Sequence, residues 1–363
     1  MKNDTTTAVR NGRDSNIELL RILAACGVVI LHYNNPAIGG GIEAATGLNH
    51  WFLMFMECIS VTAVNVFILI SGYFMCRSNK RSLLRPLELI LQVILIKEAI
   101  YLLTVVLGRA ELSGQDILTN LIPNNWFVIL YVVLYLISPF LNLLLDSLKK
   151  NGLEKKSLII LFILFSVFPT ALDVLSEITG ADLNLMSTIG IYGSNLGYTI
   201  VNFALVYLIG AYLRDSKIHG SILRFLLCLA LLFTWSVLEL RTGTPFIYLR
   251  CLEYCNPLVI WLAAEALLLF RGFKTGSHKW INIPAKASFT VYLVHASILP
   301  VLHITEFAAR NIFILTLHLI GCVIGIYIVC FIVWLVYDFI MSRLIRATLA
   351  KTSLNNNIFD KLN

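Results

Sequence analysis

From Ile312 to Val336 the chain carries no Asp, Glu, Lys or Arg, and Ser157–Phe168 is equally free of charge. A run like the first can be covered only by lipid, because a membrane-crossing helix needs ~20 mostly apolar residues at ~1.5 Å rise each. Ten segments fit that description: 16–34, 51–75, 83–107, 126–146, 157–176, 197–213, 221–240, 246–270, 284–303 and 312–341. Their residues do not alternate between polar and apolar, which excludes an outer-membrane-type β-barrel. The expected fold is an all-α, polytopic membrane helix bundle of ten transmembrane helices. Composition agrees. Hydrophobic residues make up 58% of the chain and charged ones 13%, with a mean hydropathy of +0.81. Soluble domains carry ~45–50% apolar and ~25% charged residues, so a soluble enzyme, a disordered chain and a disulfide scaffold are all excluded.

Lysine and arginine set the orientation. With the N-terminus cytoplasmic, 23 of the 28 fall on inner segments, while Arg109, Arg241, Arg250 and Arg310 lie outside and Lys97 lies within a span. A missed helix would invert this pattern downstream of it. Both termini are therefore expected in the cytoplasm, as a tail over 1–15 and another over 346–363 around a membrane domain of residues 16–345. The net charge of +7 follows from this bias and from contact with anionic inner-leaflet lipid, and is no sign of nucleic-acid binding. A signal peptide is the rival reading of Ile22–Leu31, but no small-residue cleavage site follows and nine more spans do. The loops are short, which leaves no room between spans for a soluble domain, and no internal repeat is visible.

Charge inside a bilayer is costly, ~2.5–3.5 kcal/mol per residue at mid-helix, so buried polar residues are paired or functional. In the first span Arg21 and His32 are eleven residues apart, within ~20° of one helical face and ~16 Å apart along the axis. Glu18 lies one turn before Arg21. Taken singly, Arg21 reads as a positive-inside anchor and His32 as an interfacial residue; the shared face makes a site an equal alternative. Glu57 has a depth similar to His32 and is a candidate carboxylate partner. Ser71-Gly72 offers a surface for close approach of a backbone or a narrow ligand. Lys97 and Glu98 must face the interior or a wet cavity, as an ion pair or a site. Ser288 and His295 share a face with Tyr292 close by, and His295 reads equally as core or site. The eight cysteines show no metal pattern. Cys251 and Cys255, four apart, are better read as filler than as a disulfide or metal pair. There is no Gly-rich phosphate loop, dinucleotide fingerprint, H-E-x-x-H or G-x-S-x-G, which removes ATP-driven pumps, dehydrogenases, zincins and α/β-hydrolases.

Four segments together resemble the acyltransferase-3 family of integral membrane acyltransferases. They are Glu18-Leu19-Leu20-Arg21 with His32 after ten further residues, Phe67-Ile68-Leu69-Ile70-Ser71-Gly72-Tyr73, Asn125-Trp126-Phe127 through Tyr135-Leu136-Ile137-Ser138-Pro139, and Ala287-Ser288-Phe289-Thr290-Val291-Tyr292-Leu293-Val294-His295. Glu18 stands where the family often has Asp, and Val66-Phe67 where it has a doubled Phe. The resemblance covers residues 15–345. It implies transfer of an acyl group, usually acetyl, from cytosolic acetyl-CoA to a hydroxyl of a cell-surface polysaccharide or its lipid-linked precursor, in a bacterial plasma membrane. On that reading His32 is catalytic, as base or transient acyl carrier, with Glu57 or Glu43 orienting it. Arg21, Ser71, Gly72 and Tyr73 contact the CoA donor. Trp126, Ser288, Tyr292 and His295 line the acceptor or acyl pocket. Acetyl-CoA is a substrate, and neither a resident cofactor nor a metal is expected. The partners are acetyl-CoA, the sugar acceptor and membrane lipid, with no nucleic acid. Two competing readings are a transporter of a polar or lipid-linked solute, using Lys97, Glu98 and Glu57, and a ligand-sensing membrane module without chemistry.

Overall fold

A computed structural model describes residues 14–190, 193–341, 356 and 358 of the chain. The two tails otherwise lie outside the described residues. Among the described residues there are helices and no strands, and eight helices are long and apolar enough to cross a membrane. We label the elements that carry the ten predicted spans α1 (Ser15–Asn34), α2 (Gly47–Met75), α3 (Leu84–Val106), α4 (Trp126–Lys150), α5 (Glu154–Thr179), α6 (Ile200–Asp215), α7 (Ile222–Arg241), α8 (Pro257–Gly272), α9 (Ser288–Ile298) and α10 (Ile312–Ile340). Length and composition support eight crossings where the sequence suggested ten. The two outside that set, α6 and α9, have 16 and 11 residues. At ~1.5 Å per residue, α6 alone falls short of the ~30 Å hydrocarbon core. Short 3₁₀ turns at Pro284–Ala287 and Leu299–Val301 extend α9 at both ends.

Local sequence explains the shifted boundaries. The predicted 246–270 span is helical only from Pro257, because Asn256 caps the helix by accepting from Leu258 N (2.9 Å) and Pro257 takes the first helical position. Residues 246–252 form two 3₁₀ turns instead. The α6 helix begins after Thr199, whose hydroxyl accepts from Asn202 N. The second span is bent, with two helices meeting at Val61–Thr62. The fifth contains a π-helical turn at Ile163–Val167.

The α1 helix is the hub. It packs against α2, α8, α9 and α10, and Ala25, Val29, Tyr33 and Ile17 are all but fully buried on it. Its first turn is tied down by Ser15 N to Gly276 O (3.1 Å), Ser15 Oγ to Asn282 Oδ1 (2.8 Å) and Asn16 Nδ2 to Phe270 O (2.9 Å). The α2 and α6 helices meet almost backbone to backbone. A Cβ on Gly72 would overlap the Tyr207 carbonyl oxygen, and one on Gly210 would overlap the Leu69 carbonyl oxygen. Small residues allow such approach between membrane helices, where the hydrophobic effect supplies little drive and close packing must.

At the basic end, Arg81 is only 4% exposed. It donates to Ser138 Oγ (2.8 Å), Ser78 O (2.7 Å) and Lys80 O (2.8 Å), which ties the turn before α3 to α4. An unsatisfied buried acceptor costs ~1–3 kcal/mol. Arg81→Ala should therefore lower the melting temperature in detergent clearly, and Arg81→Lys, which lacks the planar fork, should recover only part of the loss.

Candidate active site

Between α1, α2, α3, α4 and α9 lies a cavity of about 1030 Å³. Its wall includes His32 from α1 and His295 from α9, whose rings meet edge to face with centroids 4.5 Å apart. The i−4 relation fixes both rings. His32 Nδ1 lies 2.9 Å from Val28 O and His295 Nδ1 lies 2.7 Å from Val291 O. A carbonyl only accepts, so each Nδ1 carries the hydrogen and donates it to its own helix. In the neutral ring Nε2 is then the bare, basic nitrogen. His295 is 2% exposed, and its Nε2 has no hydrogen-bond partner. A buried polar atom without a partner is costly, and here it sits beside a second imidazole.

At the basic end the cavity wall includes Arg21. Its Nε leans toward Glu18 Oε2 at 3.4 Å, and the arginine side chain remains 33% exposed. Arg85 and Lys286 add positive charge there, with Glu88 and Asp338 as acidic neighbours. Ser71 also faces the cavity, its hydroxyl donating to Phe67 O (2.8 Å) and lying 3.3 Å from Tyr131 Oη. Trp126, Ser288 and Tyr292 complete the predicted residues found on this wall. Ser288 Oγ is 3.4 Å from Tyr327 Oη. Gln92, also on this wall, donates from Nε2 to Thr290 Oγ1 (2.9 Å) and joins α3 to α9.

The acyltransferase-domain model of the acyltransferase-3 family matches residues 14–335. The chain belongs to the acyltransferase-3 family. It is an acyltransferase and a multi-pass membrane protein. No curated protein and no solved structure gave a significant match.

In this acyltransferase four predicted residues, Glu57, Glu43, Gly72 and Tyr73, stand away from the cavity wall. Glu57 is buried, but it accepts from Asn34 Nδ2 (2.8 Å) and makes no hydrogen bond to His32. Asn34 is two residues beyond His32, ~200° around the helix, so the carboxylate meets a different face of α1 at about the right depth. Glu43 is exposed on a short helix of its own. Gly72 faces the α6 backbone. Tyr73 lies under Arg214, whose guanidinium carbon is 4.7 Å from the ring centroid and which also donates to the Tyr73 carbonyl. Lys97 donates to Asn124 Oδ1 (3.0 Å) instead of pairing with Glu98. The eight cysteines are all free thiols. Among the described residues no group of three or more His, Cys, Asp or Glu is placed to hold a metal.

The sequence reading missed Tyr198 and Tyr254, which line the acyltransferase cavity beside Trp126. Their centroids lie 4.5 and 6.0 Å from the indole and 5.2 Å from each other. The available signal was an aromatic residue at the non-basic end of a span, and that also describes the interfacial belt of any membrane protein.

Proposed function

We propose that this acyltransferase moves an acyl group, acetyl in the simplest case, from cytosolic acyl-CoA to a hydroxyl of a cell-surface polysaccharide or its lipid-linked precursor. The basic end of the bundle then faces the cytosol of a bacterial cell and the membrane is its plasma membrane. The observation that carries the reading is the edge-to-face histidine pair in a cavity that also reaches Arg21. CoA is a polyanion at one end and a thioester at the other. Arg21, with Arg85 and Lys286 nearby, suits the phosphates. The ~16 Å between Arg21 and His32 along α1 suits the pantetheine arm, with Ser71 beside it.

A thioester is already activated, so what remains is to deprotonate the acceptor. The sugar hydroxyl gives its proton to His32 Nε2 as its oxygen bonds to the thioester carbonyl carbon. Collapse of the tetrahedral adduct breaks the C–S bond, and the leaving sulfur takes the proton back from the imidazolium. Ester and free CoA thiol result, and His32 returns to its starting state. His295, whose Nε2 has no other partner, is the neighbour that shares the proton.

The test is thiol release from acetyl-CoA by protein in nanodiscs, with saccharide acceptors added. Arg21→Ala should raise KM for acetyl-CoA about tenfold, the weight of one ~1.4 kcal/mol charged contact, and leave kcat little changed. A folded wild type that releases no thiol would refute the proposal.

A further inference from the structure

The far end of the cavity, away from Arg21, is built differently from the rest. Two segments that leave the helices at the non-basic end turn inward and lock onto each other. Tyr254 N donates to Leu196 O (3.0 Å), and Ser194 Oγ donates to Glu253 Oε2 (2.8 Å). Arg250 Nη1 pairs with the other oxygen of the same carboxylate (2.9 Å). The bundle grips both segments through Asn65 Nδ2 to Tyr254 O (2.8 Å), Ser166 Oγ to Cys255 O (2.6 Å) and Asn202 Nδ2 to Gly197 O (3.3 Å).

The backbone here is unusual. Asn195, Leu196 and Gly197 have φ of 47°, 57° and 81° in succession. Left-handed conformation at non-glycine residues costs energy and is kept only where surroundings enforce it, often at ligand sites. Gly197 is required as well by space, since a Cβ would stand 2.5 Å from Cys255 N. The product of this construction is the placement of two tyrosine rings. Tyr198 and Tyr254 stand with Trp126 on the cavity wall, and Tyr198 remains 38% exposed.

We propose that Trp126, Tyr198 and Tyr254 form a platform that binds the C–H face of a pyranose ring, and so hold the sugar acceptor. The proposal rests on the acyltransferase reading above and specifies its acceptor side. An aromatic face is electron-rich and attracts the weakly positive C–H edges of a sugar, while Tyr O–H and Trp N–H serve its hydroxyls. The three rings carry no net charge. The cationic lining, at Arg21, Arg85 and Lys286, is grouped at the basic end, where a nucleotide's phosphates would be held, so the platform suits a neutral ring better than adenine. It is also connected to the chemistry. Trp126 contacts Phe127 (5.9 Å), Phe127 contacts Tyr292 (5.2 Å), Tyr292 contacts His295 (6.4 Å) and His295 contacts His32. The platform and the histidine pair line the same cavity.

The experiment is saturation-transfer NMR on protein in nanodiscs. Protein aromatic protons are irradiated and transfer is read on the ring protons of methyl glucoside, methyl galactoside and methyl N-acetylglucosaminide. Transfer to at least one pyranoside is expected. It should fall at least fivefold in Tyr198→Ala and persist in Tyr198→Phe, which keeps the ring face and guards against a folding defect. Acetyl-CoA binding should be unchanged in Tyr198→Ala. With a pyranoside as acceptor, KM should rise about tenfold, the upper value for one aromatic stacking contact. No transfer to any pyranoside, transfer indifferent to Tyr198→Ala, or a tenfold loss of acetyl-CoA binding in that variant would each overturn the platform. Thiol release separates the two claims. Release without pyranoside binding sinks the platform alone, whereas pyranoside binding in a protein that never releases thiol sinks the acyltransfer reading and leaves the platform standing.

Discussion

His32→Ala should lower kcat for acyl transfer about 10³-fold, within the 10²–10⁴ that a positioned general base supplies, with an unchanged melting temperature. The stability should hold because His32 is partly exposed to the cavity and its one hydrogen bond is to its own helix. His295→Ala should cost about 10²-fold, less because it acts through its neighbour. The decisive measurement is the double variant. Groups that act as a unit are strongly non-additive, and these two rings are 4.5 Å apart, so the double variant should be no slower than His32→Ala. Losses that multiply would show that the two histidines serve separate steps. Full activity in His32→Ala would remove it from the chemistry altogether.

Among the described glycines, Gly72→Val should be the most disruptive packing change. The clash is with the Tyr207 backbone carbonyl, and no rotamer change on either side relieves it. Overpacking costs ~1–3 kcal/mol in ordinary cores, where side chains can shift, and this site belongs at or above the top of that range. Gly210→Ala repeats the test from the opposite helix, against the Leu69 carbonyl. Gly321→Ala and Gly325→Ala are the controls, because nothing lies within 4 Å of an added Cβ at either position, and they should be neutral or slightly stabilising. The readouts are detergent melting temperature and the monodisperse fraction. A Gly72→Val protein as stable as the controls would mean that α2 and α6 are not in backbone contact.

Hydropathy and charge made the membrane bundle legible, because lipid imposes length and apolarity on every crossing. They were least informative at α6 and α9, where burial against other helices replaces contact with lipid and relaxes the length requirement. Within the site, helical phase served well where it was applied along one helix. Arg21 and His32 do face one cavity, as do Ser288, Tyr292 and His295. It failed where the inference ran between helices. Glu57 had a suitable depth but the wrong azimuth, and it meets Asn34. Ser71 and Gly72 are adjacent in sequence yet ~100° apart on the helix, so one looks into the cavity and the other into α6. Tyr198 and Tyr254 come from irregular segments, whose path depends on hydrogen bonds between residues far apart in sequence, and no periodicity announces them.

Each histidine donates its Nδ1 hydrogen to the preceding turn of its own helix, to Val28 O for one and Val291 O for the other. Aim and range are thus under separate control. The direction in which each lone pair points is built into its own helix. The gap between the rings belongs to the seam where α1 and α9 touch. Changes along that seam retune the distance without misdirecting either nitrogen, so a sluggish variant can be repaired by distant substitutions between the two helices, while loss of either turn's helical geometry has no such remedy.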